Sequence, residues 1–495
     1  MTAEPIDAEH VDVLIIGAGL AGIGAACHLR RECPGRTFVV LEARGVSGGT
    51  WDLFRYPGVR SDSDMFTLSY PFRPWLGAQS IADGSSILEY IRDTMRENRI
   101  DEKIRYRRRV RHASWSSETA RWTVEVDHSD ETGKPLGTEF LTCDFLYGNT
   151  GYYRYDEAYT PAFEGVADFT GTIVHPQHWP EDLDVTGKKV IVIGSGATAV
   201  TLVPALARDA EHVTMVQRSP SYIISLAGRD PLTAFARRVL PPKAAYRMVR
   251  WKNVLLMTLA FQASRKAPNL VKDVLRKGLE RQLPPGYDID THFTPRYQPW
   301  DQRLCVVPEG DLFRAIRDGG ASVVTDGIER FTEKGLRLTS GTELAADVIV
   351  TATGLNLLVL GGVTLDVDGT PVDLAGCVGY KGIMFSGVPN LAATTGYTNA
   401  SWTLKADLTA VWVCRLLNHL AAHGYRQVTP QGPDPALPTV PYIDLTSGYV
   451  QRSVDAMPRQ GTTDPWRLHQ NYPRDVLLLR YRAVADEALE FSRPT

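Results

Sequence analysis

Two glycine-rich turns in this chain have the makings of phosphate cradles. The first, Gly17-Ala18-Gly19-Leu20-Ala21-Gly22, follows the apolar run Val11 to Ile16 and opens a segment of helical spacing, Leu20 to Arg30. A second apolar run, Thr37 to Leu41, ends in Glu42. Glycine lets such a turn tighten so that backbone amides approach a pyrophosphate, and the helix N-terminus adds positive potential. Glu42 stands 20 residues after Gly22, where a carboxylate grips a ribose diol. The second turn, Gly194-Ser195-Gly196-Ala197-Thr198-Ala199, repeats strand, turn and helix, but its following strand, His212 to Val216, runs into Gln217-Arg218-Ser219. An acid there would repel a 2′-phosphate, whereas the Arg218 guanidinium pairs with one. The first site therefore reads as FAD held by Gly17, Gly19, Ala21, Gly22 and Glu42. The second reads as NADPH held by the turn Gly194, Ser195, Gly196, Ala197 and Thr198, with Arg218 and Ser219 at the phosphate. Such a pair suggests a hydride passing from nicotinamide to flavin.

The elements needed to position these groups make an α/β fold with two Rossmann-like dinucleotide-binding domains. The segment Arg105 to Val126 alternates like antiparallel strands, and Asp130 to Gly137 reads as a hairpin tip. The runs Phe145 to Gly151 and Val348 to Gly354 both end in Thr-Gly and mark two crossings between domains. The expected division is a FAD domain over 1–150, an NADPH domain over 151–350, and a return to the FAD domain over 351–495. Arg229 to Arg281 breaks the α/β rhythm with helical spacing and about a dozen basic residues, an expected helical insert at about 225–292. The simple reading packs it over the cleft. A peripheral membrane contact is the sharper alternative, disfavoured by the scatter of charges around the helices. Asn399 or Ser401 is placed to cap a helix through Leu404, Leu408, Val411 and Trp412. Its dipole would stabilise an anionic reduced flavin, although an ordinary core helix fits the spacing equally well.

Composition excludes several classes. With 54 Lys and Arg against 57 Asp and Glu, the net charge of −3 gives no field for nucleic acid. The run Arg107 to Arg111 is short enough for a solvated strand. Met1 to His10 is acidic and polar, unlike a signal peptide, and no apolar run reaches the roughly 18–20 residues of a membrane span. A cytoplasmic protein is expected. The six cysteines form no C-x-x-C, which fits reduced thiols and argues against a flavin disulfide reductase. His175 and His178 flank Pro176 without Cys or carboxylate partners, so no metal site is expected.

Two longer motifs specify more. Phe169 to Pro180 spells F-x-G-x-x-x-H-x-x-x-W-P, and Gly48-Gly49-Thr50-Trp51 runs through Tyr56-Pro57-Gly58 to Asp62. In both, the chain resembles the type I Baeyer–Villiger monooxygenases, over essentially its whole length. The stretches Gly49 to Gly58, Trp300 to Arg303 and Gly396 to Thr403 look most like a branch associated with ketones and thioethers. The resemblance implies that NADPH reduces FAD and that O2 adds at the flavin C4a to give a peroxyflavin. That species would convert ketones to esters or lactones, or thioethers to sulfoxides. It implies Arg303 as the fixed cation for developing negative charge, with Arg296 as fallback, and Asp62 as the carboxylate that holds it. For His175, near the domain linker, a hydrogen-bonded conformational role is favoured over acid–base work. Thr50, Trp51, Asp52, Leu53, Arg60, Ser61, Asp62 and the Val110 backbone would surround the flavin, and Asn399, Ser401 and Trp402 the substrate. Two alternatives stand beside this reading: a monooxygenase restricted to sulfur and nitrogen, which would not need Arg303, and a flavin-binding redox sensor without turnover. The physiological substrate and oligomeric state stay open.

Overall fold

The structure, a computed structural model, describes residues 8–77, 79–226 and 231–493. Most of the acidic N-terminal segment and Arg229, at the start of the basic stretch, lie outside the described residues. Val13, Leu14 and Ile15 are fully buried. Their strand, Glu9–Ile16, pairs in parallel with Phe38–Glu42 on one side and Pro135–Gly148 on the other. A strand covered on both faces has no polar alternation, which is why the sequence shows a plain apolar run. These three strands are neighbours in a nine-stranded sheet that also takes in Thr364–Val367, Thr370–Pro371 and Leu391–Ala393 from much later in the chain.

The alternating segment divides differently from the expectation. Ile104–Tyr106 pairs in parallel with Phe38–Glu42, Val40 opposite Ile104. Arg107, at φ 55°, then turns the chain through the left-handed region. Only Arg108–Ser116 joins the antiparallel hairpin with Arg121–Ser129. The following strand already begins at Pro135, so the hairpin tip is shorter than expected. There the Asp130 carboxylate accepts from the Thr132 and Lys134 amides at 2.9 and 3.0 Å.

The second sheet is wholly parallel, in the order Ala321–Thr325, His212–Gln217, Lys189–Ile193, Val348–Thr351 and Thr172–Val174. Between the sheets the chain runs through Tyr153–Ala158, which pairs antiparallel with Leu355–Leu357. Among the described residues between the strands Ile223–Leu226 and Cys305–Pro308 stand the helices Pro231–Val239, Pro242–Lys266, Pro268–Glu280 and Ile289–Phe293. Arg250, buried in the second of these helices, donates to the carbonyls of Phe66 and Ser69 at 2.6 and 2.9 Å and to the Tyr246 hydroxyl at 3.1 Å. That guanidinium fastens the helical segment to the backbone just beyond Asp62.

Trp402–His423 packs on Leu20–Glu32, and the joint is polar inside. His28 Nε2 lies 2.8 Å from Asp407 and Nδ1 lies 2.7 Å from Glu32. All six cysteines are buried and free. Among the described residues no helix is long and apolar enough to cross a membrane.

Candidate functional site

Both glycine turns open into one cavity of about 990 Å³. At the first, Gly17 has φ 102°, and a Cβ there would stand 2.6 Å from the Asn149 carbonyl oxygen. The floor of this cradle is Gly19 laid against Gly49, where a Cβ on Gly49 would come within 3.1 Å of the Gly19 Cα. A side chain at either would press against the other's backbone. Gly22 is structural: its Cβ would overlap the Gly17 carbonyl. The helix Leu20–Glu32 has Gly19 as its N-cap with no side-chain capping bond, so its first amides stay available to a phosphate. Glu42 is fixed from both sides, accepting from Ala18 N at 2.8 Å and Arg44 N at 2.9 Å. Burial raises its pKa, against the pull of those two amides.

The second turn copies this design. Gly194 has φ 131°, and a Cβ there would meet the Ala352 carbonyl oxygen at 2.4 Å. Gly196 caps the helix Ala197–Leu206 without a side-chain bond and has open space before it. Ser195 Oγ donates to the Ser219 carbonyl at 3.1 Å, tying the glycine turn to the end of the next strand. Arg218 is exposed, lines the cavity and has no carboxylate partner among the described residues. Residues Ala197, Thr198 and Ser219 line it as well.

Where the cradles meet stands Arg303. Its Nε and an Nη engage the two oxygens of Asp62 at 2.6 and 3.0 Å, and the other Nη donates to the Thr398 carbonyl at 3.3 Å. The ion pair and the two hydrogen bonds leave further guanidinium N–H groups free on a residue that lines the cavity. Burial works against its charge, but Asp62 and then Tyr152, Tyr153 and Tyr449 outweigh this and raise its pKa. Burial also raises the pKa of all three phenols, so they remain donors. Tyr152 packs on Trp402 with ring centroids 5.0 Å apart. The Arg303 loop is held by Asp301, which accepts from Gln298 N at 3.0 Å and pairs with Arg265 at 2.7 Å.

Other expected site residues separate into two groups. Thr50, Trp51, Ser61, Asp62, Val110 and Trp402 line the cavity. Asp52, Leu53 and Arg60 do not. Asp52 is buried against Arg44 and Arg92 at 2.6 and 2.7 Å, and Arg60 pairs with Asp311. Asn399 donates to the Gln470 carbonyl at 2.9 Å, and Ser401 is fully buried against the Thr67 hydroxyl at 2.6 Å. Ser401 is the N-cap of Trp402–His423, but its hydroxyl serves Thr67 rather than the helix. Arg296 is exposed and away from the cavity. His175 lies outside the lining, at the crossing between sheets. Its Nδ1 accepts from Gln177 N at 3.1 Å, and burial lowers its pKa. Gln177 in turn donates to the carbonyls of Arg154 and Tyr155 at 3.0 and 2.9 Å, clamping the linking strand. The three tyrosines, Arg44 and Asn149 were not anticipated: Asn149, Tyr152 and Tyr153 share one short stretch, Arg44 and Tyr449 lie far from it in the chain, and no motif spacing links them.

The fold and site define a flavoprotein oxidoreductase with two dinucleotide sites. Comparison with known proteins agrees. A flavin-binding monooxygenase-like family model matches residues 69–235, and an NAD(P)-binding Rossmann-like domain model matches residues 15–80. The chain is 53% identical over 486 residues to the FAD-containing monooxygenase EthA of Mycobacterium tuberculosis, covering 98% of each. It is 46% identical to the probable FAD-binding monooxygenase AlmA of Acinetobacter baylyi, covering 98% of this chain and 97% of that one. Among solved structures, a steroid monooxygenase bound to NADP has a TM-score of 0.74 at 24% identity, over 97% of this chain and 99% of that one. A polycyclic ketone monooxygenase from Thermothelomyces thermophila has a TM-score of 0.78 at 18% identity, over 100% of this chain and 91% of that one. The two structural likenesses speak to the fold. This chain belongs to the FAD-containing monooxygenases.

Proposed function

We propose that the chain is an NADPH- and O2-dependent monooxygenase that inserts oxygen beside the carbonyl of ketones and also oxidises thioethers to sulfoxides. The observation that carries this reading is the Arg303–Asp62 pair at the meeting point of two dinucleotide cradles in one cavity. Bound FAD would supply electron transfer and oxygen activation, and bound NADPH the hydride.

The chain's own residues do the rest. The uncapped amides after Gly19 hold the flavin-side diphosphate, and Glu42, anchored through both oxygens, orients the ribose. The amides after Gly196 hold the second diphosphate, and the unpaired Arg218 with Ser219 receives the 2′-phosphate. Arg303 offers fixed positive charge to the oxygen of a ketone carbonyl as it becomes anionic under attack. Asp62 keeps that fork oriented, and Tyr152 and Trp402 shield the same space from water. Sulfur oxidation develops no comparable alkoxide, so it leans less on Arg303. His175, held neutral by burial beside the Gln177 clamp, is a positioning residue of the domain crossing. We assign 1–150 and 351–495 to the flavin domain and 151–350 to the nicotinamide domain, in a cytoplasmic enzyme.

The test is a panel of linear, cyclic and aryl ketones beside thioethers, with NADPH and air, products being identified by mass. Ester or lactone together with sulfoxide is expected. Sulfoxide with no ester from any ketone would move the assignment to heteroatom oxidation. Absence of any substrate-stimulated, oxygen-dependent NADPH consumption would leave only a flavin-binding sensor.

A further inference from the structure

The helical insert turns much of its apolar surface outward. In Pro242–Lys266 the inner face, including Ala245, Val249 and Val254, is buried. On the opposite face Met248, Trp251, Leu255 and Leu259 recur at helical spacing, with Leu255 and Leu259 50% and 65% exposed. The flanking helices share the habit. Phe235 and Val239 on Pro231–Val239 are 61% and 55% exposed, and Leu270 and Val274 on Pro268–Glu280 are 63% and 61% exposed. Apolar groups left exposed in this number mark a contact site.

The charge around them is one-sided. Between 231 and 281 stand twelve Lys and Arg against two acids, Asp273 and Glu280, in a chain whose net charge is −3. Arg265 and Arg276 are paired with Asp301 and Asp290. Arg238, Lys243, Arg247, Lys266, Lys277 and Arg281 are exposed and without a carboxylate partner among the described residues.

We propose that this face docks on an anionic lipid bilayer, its helices lying in the headgroup plane with the apolar stripes entering the acyl boundary. Charge selects the occupant. A second copy meeting this face about a two-fold axis would set the same basic cluster against itself. An anionic bilayer attracts the cluster and accepts the apolar side chains together. The scatter of charge that argued against membrane contact in the sequence is thus a basic surround for stripes the sequence did not orient. The buried side of the same helix reaches the site: Val254, Met257 and Thr258 line a small cleft with Asn399, Ala400 and Leu404, beside the Thr398 carbonyl that Arg303 holds.

The experiment sediments full-length, flavin-loaded protein with vesicles of phosphatidylcholine alone or mixed with phosphatidylglycerol, at low and high salt. Binding to the anionic vesicles should be tighter by more than about tenfold and should weaken with salt. The double variant Leu255→Asp/Leu259→Asp should lose that binding by about tenfold or more while oxidising NADPH at the wild-type rate. If that variant fails to retain flavin, Arg238→Glu/Arg247→Glu decides in its place, with the same loss expected. Sedimentation no greater than without vesicles, equal binding to neutral and anionic vesicles, or indifference to the substitutions would overturn the proposal. A wild-type dimer that the leucine substitutions convert to monomer, without vesicle binding by either, would assign the face to a second copy instead.

Discussion

An arginine in a bidentate ion pair still carries unused N–H groups, and this decides how Arg303 and Asp62 divide their work. Asp62 occupies one edge of the fork, so the remaining donors can face a reacting oxygen from a fixed direction. Arg303→Ala should therefore cut ketone oxygenation by roughly two to three decades, the usual cost of one preorganised electrostatic donor, with flavin content unchanged and sulfoxidation less affected. Asp62→Ala should give a milder version, since the guanidinium would remain but lose its orientation. Ester and sulfoxide yields on the same preparations check both. Wild-type ketone rates in Arg303→Ala would remove that residue from the mechanism. At the other cradle, Arg218→Ala should raise the NADPH Michaelis constant by about one to two decades, the worth of a charge-assisted bond to phosphate, and leave NADH nearly unchanged. Unaltered coenzyme preference would mean that another group reads the phosphate. Glu42 and Arg218 were legible in the sequence because each ends a strand at a fixed step from its glycine turn. Asp52 and Arg60 were assigned a cavity role from motif membership, but a loop motif does not say which way a side chain turns, and ion pairs draw both away.

Elements carry the second kind of information. The joint between Leu20–Glu32 and Trp402–His423 buries His28 between two carboxylates. Burial alone would lower its imidazole pKa; hydrogen bonds and charge from Asp407 and Glu32 reverse this and raise it to about 9. Protonation is thus favoured by folding. The contribution is full below the ordinary value of about 6.5 and is lost as pH rises through about 9. At 1.36 kcal/mol per unit the stake is about 3 kcal/mol. Melting temperature measured across that window should fall in the wild type, whereas His28→Gln should start lower and stay flatter. Parallel profiles would show that another group governs alkaline stability. The helices of this joint were legible from their spacing, but the polar pair between them was not, since it links residues 379 apart. The same limit applied to Ile104–Tyr106, whose alternation suited either partner until the turn at Arg107 sent it to a parallel edge.

At the scale of the whole molecule, two sheets built from interleaved stretches of chain, one mixed and one wholly parallel, bring both glycine turns to one cavity. Repetition of strand, turn and helix made that plan readable from the sequence. The outward face of the helical insert was not readable, because apolar spacing is the same whether a stripe faces a core or a lipid. Oxygen transfer at the place where the cradles and Arg303 meet is the decisive event. The most direct measurement supplies the flavin-loaded enzyme with NADPH, a ketone and isotopically heavy O2, and weighs the product. An ester or lactone carrying one heavy oxygen atom, formed in step with NADPH consumed, is expected. Consumption of NADPH with the ketone unchanged, across ketones that bind, would contradict this.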